Sequence, residues 1–472
     1  MRKVLLLEIN EITWDLINPL IAQGKLPNFQ RLKTEGTWGT TISVDLPPQM
    51  DPWVTWTTIY TGQPQSEHNV FFLQQPPDTI HAKRIWQRCH EQGLKVGVYG
   101  SLCTWPPQPV KGFYVPDTFA PDPDTYPAEL RSIQVMNLTY TRSVRLPADQ
   151  DTLRFKARLA RDLVRLGLSP ATMLRIAKQL AAERLDPSVR WRRVALQPYV
   201  NFTFFERLYH RHRPDFATFH TNHVAHYMHT YWKAMEPDKF KPLETSEQER
   251  DVYGGAIEYG YVTADELVGR ALKLIDKDTV LVMASSMGQK PFRSTLEGGK
   301  AIAQWRSLNQ LLDILNARGT ARAVSTMSDE FVIYAADAER DRILGILESS
   351  YIDVPERKTF FCSVIEGAVR VNLLPHEIRL IKPDSQVHFP QAPGTPVFRH
   401  DEVIYSTGHL KSGCHDERGV LAFYGAGIAA GQQLGMYDTL SIAPTLMQVL
   451  GLPIPAEMRS APIVEILDRL AA

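Results

Sequence analysis

Residues 4–32 read VLLLEINEITWDLINPLIAQGKLPNFQRL. The stretch opens with a short apolar run at residues 4–9, which predicts a buried β-strand. Apolar residues at helical spacing follow over residues 14–23, and Gly24 ends the predicted helix. A buried strand that leads at once into a helix is the repeating unit of α/β folds.

The same alternation continues along the chain. Further strands are predicted at residues 95–99, 215–220, 279–284 and 420–424, and further helices at residues 85–92, 248–274 and 442–450. The pattern predicts an α/β fold with a doubly wound, mostly parallel sheet and a helical cap insertion.

Two stretches interrupt the alternation and predict insertions. Residues 120–200 read as a basic helical insertion, and residues 300–400 read as a second, smaller subdomain. The core would then be assembled from residues 1–119, 201–299 and 401–472.

The basic character of the first insertion is concentrated in residues 151–193. This segment holds eleven Lys and Arg against four Asp and Glu, whereas the whole chain has 52 of each class. A solvated helical face explains such a run, and so does a surface that meets an anionic ligand, a peripheral membrane or an acidic partner. Both interpretations stay open at this point.

The cysteines and the apolar runs indicate in which cellular compartment the protein is expected. Four scattered cysteines without a CxxC pair argue against a disulfide framework or a structural zinc site. The apolar run near the N-terminus is too short for a signal peptide, and no run approaches 18 apolar residues. We expect a cytoplasmic protein. No pattern of a nucleic-acid-binding module is present, so no nucleic-acid partner is expected.

Polar side chains collect where the predicted strands end, which is where open α/β sheets carry their chemistry. They are Glu8, Asn10, Glu11, Gln49, Asp51, Asn222, His223, His226, Ser285, Ser286, Gln289, His409, His415 and Asp416.

Six more segments follow residues 4–32 in order. They are TWTTIYTGQPQSEHNV at 55–70, KVGVYGSLCTWPPQPVKGFYVPD at 95–117, HTNHVAHYMHTYW at 220–232, VMASSMGQKPF at 282–292, GCHDERGVLAFYGAGI at 413–428 and SIAPTLMQVLGLPIPAEM at 441–458. Together the seven segments resemble the type I phosphodiesterase/nucleotide pyrophosphatase branch of the alkaline phosphatase superfamily.

The resemblance implies a two-metal phosphoesterase whose ligand set has degenerated in this chain. The positions of one metal site and the nucleophile are held by Asn10, Pro52, Ser286 and Met287, none of which suits a hard divalent ion. The other site keeps His226 and His415 and has Asn222 in place of an aspartate. We therefore expect no metal or one weakly held divalent ion, with zinc favoured.

The candidate residues divide into two roles. Asp51, Glu11 and His226 are candidates for acid–base catalysis. The candidates for substrate binding are Glu8, Asn10, Asn222, His223, His229 and Gln289. Simpler roles remain open for three of them: Asn10 as a helix cap, Glu11 as a first-turn charge, and Asp51 with Pro52 as a turn.

Three functions fit this pattern. The first is a divergent phosphodiesterase or pyrophosphatase acting on a nucleotide, nucleotide sugar or lipid phosphate. The second is a metal-independent transferase that uses a nucleotide-sugar or lipid-phosphate donor. The third is a catalytically inactive binding protein. In each case the expected partner is a phosphate-containing small molecule or a glycan or lipid substrate.

Overall fold

A computed structural model provides the structure of the protein. It describes residues 2–141, 153–240, 245–292, 300–326, 329–353, 357–374 and 382–467. Residues 151 and 152, which begin the predicted basic segment, lie outside the described residues, and so does the side chain of His409.

The strands are between two and eight residues long. In chain order they are β1 (Lys3–Ile9), β2 (Thr37–Ile42), β3 (Val96–Tyr99), β4 (Gly112–Val115), β5 (Phe216–Thr221), β6 (Thr279–Ala284), β7 (Gly288–Pro291), β8 (Lys300–Trp305), β9 (Ala321–Ser325), β10 (Glu330–Ala335), β11 (Tyr351–Ile352), β12 (Phe360–Ile365), β13 (Ala368–Leu373), β14 (Gln386–His388), β15 (Val397–Arg399), β16 (Ile404–Lys411), β17 (Gly413–Asp416), β18 (Arg418–Gly425) and β19 (Gln432–Asp438).

The α-helices are α1 (Trp14–Ala22), α2 (Pro27–Glu35), α3 (Pro52–Thr61), α4 (Gln65–His68), α5 (Ile85–Glu91), α6 (Arg131–Thr141), α7 (Leu153–Leu166), α8 (Pro170–Leu185), α9 (Leu196–His212), α10 (His223–Met235), α11 (Glu247–Tyr253), α12 (Ala256–Leu274), α13 (Leu308–Ile314), α14 (Asp337–Ser349), α15 (His400–Val403), α16 (Ile442–Val449) and α17 (Val464–Leu467). Short 3₁₀ helices span Pro77–Thr79, Ala128–Leu130, Pro187–Ala195, Pro237–Phe240 and Thr439–Ser441. Among the described residues, no helix is both long enough and apolar enough to cross a bilayer.

The chain divides into two compact units. The first is formed by residues 1–235, 246–290 and 414–472, and the second by residues 236–245 and 291–413. The described part of the predicted 120–200 insertion lies within the first unit and is mainly helical from Ala128 onward.

An eight-stranded sheet lies at the centre of the first unit, in the order β19-β2-β18-β6-β1-β5-β3-β4. β18 runs antiparallel to β2 and β6, and the other neighbouring strands are parallel. All of β6 and nearly all of β1 are buried, which explains why both read as continuous apolar runs. The predicted α/β fold with a mostly parallel sheet is confirmed.

The strand register brings the predicted polar residues to one edge of this sheet. Glu8 in β1 lies opposite His220 in β5 and Ala284 in β6. Since these strands are parallel, the residues that follow them emerge together. Asn10 and Asn222 leave the sheet side by side for this reason, and the Asn10 amide N–H donates to the carbonyl of Thr221 at 3.0 Å.

Helix α3 positions the segment that follows β2. All ten of its residues are buried, and its Trp56 and Tyr60 rings stack with centroids 5.8 Å apart. The helix begins at Pro52 and ends at Thr61, and it is capped by Gly62, whose φ of 67° is natural for glycine. Because every residue of α3 is buried, packing fixes the position of its first turn. The backbone of Asp51, which immediately precedes this turn, is positioned in the same way.

The predicted helix at residues 248–274 is two helices. α11 ends at Tyr253 and α12 begins at Ala256, with Gly254 and Gly255 between them. Two adjacent glycines weaken a helix by about 2 kcal/mol relative to alanine, which accounts for the break.

The second unit has its own core. A four-stranded antiparallel sheet in the order β12-β13-β10-β9 packs against α14, and β11, β14 and β15 form a smaller sheet. Trp305, Phe331, Phe360 and Phe389 are buried together with Leu347 in this core.

Candidate functional site

The turn after β1 has an unusual backbone conformation. Glu11 has φ of 61°, in the left-handed region that a residue with a Cβ seldom adopts. Such a conformation costs about 1–2 kcal/mol and tends to occur at functional sites. The first helix takes its N-cap from Thr13, whose hydroxyl accepts from the Asp15 amide at 3.3 Å. The alternative that Asn10 caps this helix is therefore wrong.

Glu11 meets two histidines from distant parts of the chain. Its Oε2 lies 3.0 Å from Nε2 of His229 and 3.6 Å from Nε2 of His415. The ligand atoms of the three residues lie within 4.8 Å of one another. In the described part of the chain, this is the one group of three or more His, Cys, Asp and Glu side chains that could hold a metal ion. We call it the Glu–His–His cluster.

The cluster is electrostatically coupled. Burial by itself raises the pKa of Glu11, but the charges of His415 and His229, together with hydrogen bonds from His229 and Gln289, lower it from 4.5 to about 2. Glu11 is only 2 % exposed. A buried carboxylate is thus kept ionised by the two imidazoles.

The hydrogen bond of His415 to the backbone shows which of its two ring nitrogens faces Glu11. Its Nδ1 donates to the carbonyl of Met50 at 2.7 Å, since a carbonyl can only accept. This leaves Nε2 as the atom that faces Glu11. A ring fixed through Nδ1 to a backbone carbonyl is the arrangement that supports metal-ligating histidines.

Helix α10 supplies the other histidine. His226 lies in its first turn and is exposed, whereas His229, one turn further along, is only 19 % exposed at its side chain. The structure groups His229, rather than His226, with Glu11 and His415. The family pattern placed His226 among the metal ligands, whereas His229 was predicted among the substrate-binding residues.

Two amides border the cluster. Asn10 Nδ2 donates to Glu11 Oε1 at 2.9 Å and to Asn222 Oδ1 at 2.7 Å, and Asn10 Oδ1 accepts from the indole of Trp56 at 2.8 Å. The Asn10 amide thus has protein partners for both its nitrogen and its oxygen. Asn222 is half-buried at the edge of the group.

Gln289 completes the surroundings of Glu11. Its Nε2 donates to Glu11 Oε2 and to the carbonyl of Ala225, the latter at 3.1 Å. Its Oε1 is buried, and no described residue donates a hydrogen bond to it. A buried acceptor without a partner is costly, so it points to a water or ligand donor at this position.

Asp51 lies close to the cluster on another side. It precedes α3 and its side chain does not cap the helix. Its Oδ1 is 4.0 Å from Nδ1 of His415, and its side chain is 22 % exposed. The next residue is Pro52, at the position where the resemblance implies the nucleophile, and it carries no hydroxyl. Asp51 is the accessible carboxylate nearest to His415 among the described ion-pair contacts.

At the positions where the resemblance implies the other metal site, protein groups hydrogen-bond to one another. Thr55 Oγ1 donates to Ser286 Oγ at 2.8 Å, and both residues are fully buried. Neutral hydroxyls and the Asn10 amide therefore occupy the places where the resemblance implies charged ligands. This part of the site suits no divalent ion.

Four of the six predicted substrate-binding residues are buried: Asn10 and Gln289 border the cluster, and Glu8 and His223 lie inside the protein. Glu8 is fully buried and accepts from Tyr60 at 2.7 Å and Ser101 at 2.9 Å. His223 is 4 % exposed, and its ring nitrogens contact the hydroxyl of Thr221 and a backbone carbonyl. Burial lowers the pKa of His223 to about 3. Both residues hold the strand ends in place, and neither offers a surface to a ligand.

A cavity of about 180 Å³ lies beyond the carboxyl end of β3. Its polar lining includes His81, Lys83, Arg84, Gln87, Thr104 and Gln108, and no Asp or Glu of the described chain lines it. Arg84 donates to the carbonyl of Cys103 at 3.0 Å, while its Nε is buried without a partner among the described residues. No feature of the sequence indicated this cavity, whose lining of cations and amides suits an anionic group.

A family model for type I phosphodiesterase / nucleotide pyrophosphatase matches residues 4–358. The chain belongs to this family. Among solved structures, a murine ectonucleotide pyrophosphatase / phosphodiesterase 5 is similar at 11% identity and a TM-score of 0.43, covering 99% of this chain and 100% of that chain. The human protein of the same name is similar at 12% identity and 0.41, covering 100% of both chains. No curated protein matches the chain.

Family membership raises the question of whether a metal fits. One carboxylate and two imidazoles with convergent ligand atoms form a set that zinc accepts. The backbone contact of His415 and the unpartnered Oε1 of Gln289 agree with an ion or its water beside Glu11. The residues present thus fit one divalent ion at the Glu–His–His cluster.

Proposed function

We propose that the protein is a divergent phosphodiesterase-family enzyme that hydrolyses a phosphate ester at the Glu–His–His cluster with a single divalent ion. The convergence of Glu11, His229 and His415 carries this proposal. Zinc is the ion that this ligand set favours. The substrate class is a nucleotide, a nucleotide sugar or a lipid phosphate.

A bound ion would supply Lewis-acid polarisation of a phosphoryl oxygen. The chain supplies the rest. Asn222, half-buried at the edge of the cluster, can donate to a non-bridging oxygen. The cationic cavity at Lys83 and Arg84 provides a second place at this sheet edge where an anionic part of the substrate can lie.

Asp51 is proposed as the general base. With Pro52 at the nucleophile position, a covalent phosphoenzyme at that position is excluded and water becomes the attacking group. The Asp51 carboxylate takes the proton of this water as the new P–O bond forms and the ester P–O bond breaks. The departing alkoxide then receives that proton from Asp51 or from solvent.

The test uses purified full-length protein with added zinc and bis(4-nitrophenyl) phosphate as the probe. We expect hydrolysis by the wild type and a loss of about 100-fold or more in Glu11→Gln and His229→Gln. His210→Gln is the matched control, because His210 is an exposed histidine on α9 outside the cluster. His226→Gln separates the two metal assignments, since a loss in this variant equal to that of His229→Gln would favour the ligand set predicted from sequence.

Two outcomes would favour the other functions. Stabilisation by a nucleotide sugar without hydrolysis would favour the transferase. Zinc binding with neither hydrolysis nor stabilisation by any phosphate donor would favour an inactive binding protein. A cytoplasmic location remains part of the proposal, and the four free cysteines support it.

A further inference from the structure

Helix α8 presents its apolar residues outward. Four large apolar side chains on it are exposed by 37 %, 55 %, 48 % and 88 %, namely Met173, Leu174, Leu180 and Leu185. The inward face instead carries Thr172 and Gln179, which are 1 % and 9 % exposed. A surface helix of a globular protein normally has the opposite arrangement.

The buried polar residues are well satisfied, so the helix is anchored in this orientation. The hydroxyls of Thr172 and Thr203 lie 2.9 Å apart. Gln179 Nε2 donates to Glu183 at 2.9 Å and to the carbonyl of Val189 at 3.1 Å. Rotating the helix to bury its leucines would break the contacts of Thr172 with Thr203 and of Gln179 with Val189, which lie outside the helix. The outward apolar face is therefore a property of the native fold.

Helix α7 buries Leu163 in the ordinary way, but it also exposes apolar side chains. Leu153 and Val164 are 86 % and 47 % exposed, and Ala157 and Ala160 are exposed between them at helical spacing. Six of the exposed large apolar side chains of the described chain fall within residues 153–185. Scattered exposed leucines are ordinary, but a concentration on two consecutive helices marks an interaction surface.

The charge around these faces is strongly positive. Residues 153–193 hold eleven Lys and Arg against three Asp and Glu. Within the described chain, Arg158, Arg165, Lys178 and Arg184 form no ion pair with a carboxylate, and all four are exposed. These cations are available to an anionic partner.

We propose that α7 and α8 bind an anionic lipid surface, with the leucines inserted at the headgroup boundary and the Arg and Lys side chains on the lipid phosphates. Helices that lie in a membrane interface combine an apolar face with a basic rim in this way. An anionic lipid surface accommodates both features, because its phosphates meet the cations and its acyl boundary accepts the exposed Leu153 and Leu185. The proposal is independent of the reaction proposed for the Glu–His–His cluster.

The test is co-sedimentation of the full-length protein with vesicles of phosphatidylcholine alone or mixed with phosphatidylserine. We expect binding to the anionic vesicles that is at least about tenfold stronger than to the neutral ones and that weakens with added salt. The double variant Leu174→Ser, Leu180→Ser should lose about tenfold or more, as should Lys178→Glu, Arg184→Glu. Val364→Ser in the second unit is the control, because Val364 is similarly exposed at 46 %.

Each result has a defined meaning. Circular dichroism and thermal unfolding show whether the variants remain folded, and surface substitutions at exposed leucines should leave both unchanged. Equal binding to both vesicle types, or unchanged binding by the leucine variant, would overturn the proposal. Concentration-dependent dimerisation that the leucine variant abolishes, without vesicle binding, would overturn it too and would assign the surface to a second copy of the chain.

Discussion

Replacing Glu11 by Gln preserves the shape of the side chain and removes its charge. In the native protein, burial raises the pKa of Glu11, yet His415, His229 and the Gln289 amide lower it from 4.5 to about 2. Between these values the unfolded chain binds a proton that the native protein does not bind. The ionised cluster therefore makes stability depend on pH.

The size and sign of this pH dependence follow from the lowered pKa of Glu11. The change from 4.5 to about 2 corresponds to about 3 kcal/mol, at about 1.4 kcal/mol for a tenfold change in proton affinity. Because the native pKa is depressed, this stabilisation is fully present above pH 4.5 and is lost as the pH falls toward about 2. Glu11→Gln has no such dependence and leaves two imidazoles without their buried counter-charge.

The assay is urea unfolding at a series of pH values from about 6 down to about 3, at constant ionic strength and without metal. The free energy of unfolding should fall more steeply for the wild type than for Glu11→Gln, by about 2 kcal/mol over this range. Glu129→Gln is the control, since Glu129 is an exposed carboxylate paired with Arg211. The control should follow the wild-type slope.

Parallel pH slopes for the wild type and Glu11→Gln would refute this reasoning. They would mean that Glu11 is not held ionised by His229 and His415. A variant more stable than the wild type near pH 6 would point the same way, because it would show that the buried charge is a net cost.

Three further predictions concern separate parts of the molecule. Asp51→Asn should lower hydrolysis of the diester probe by about 100-fold or more while zinc content stays at the wild-type level, and a normal rate would remove Asp51 as the base. Trp56→Phe removes the donor to Asn10 Oδ1 and should cost about 1–3 kcal/mol in urea unfolding, whereas an unchanged midpoint would show that the Asn10 network is not structural. Leu347→Ala opens a cavity in the core of the second unit and should cost that unit about 2–5 kcal/mol by calorimetry, with zinc binding intact.

The sheet could be predicted from the sequence for a simple physical reason. Strands buried on both faces, such as β1 and β6, must be continuously apolar, and this pattern stands out in one sequence. The strand ends then follow, because parallel strands place their carboxyl ends at one edge. The two glycines, Gly254 and Gly255, are evident in the sequence, but the sequence did not predict that they separate two helices.

The composition of the cluster could not be predicted in the same way. Sequence spacing does not reveal that Glu11 adopts a left-handed conformation, and this is a property of the folded turn. The choice between His226 and His229 depends on how α10 is rotated, which is decided by packing. A signal was present nonetheless: Glu11 is a carboxylate one residue after Asn10, where the resemblance implies an aspartate, and His229 is one helical turn beyond His226.

The outward apolar face of α8 could not be predicted from the sequence, for a related reason. Its sequence shows alternating apolar and basic residues, and burial of the leucines is the ordinary expectation. Only the contacts of Thr172 and Gln179 show which side faces the protein.

The most direct measurement is a calorimetric titration of the metal-free protein with zinc near neutral pH. The Glu–His–His cluster predicts one equivalent of zinc per chain, with affinity reduced about tenfold or more in Glu11→Gln, His229→Gln and His415→Gln and unchanged in His210→Gln. Two equivalents, no binding, or binding that survives substitution of Glu11 and His229 together would contradict a single metal centre at this cluster.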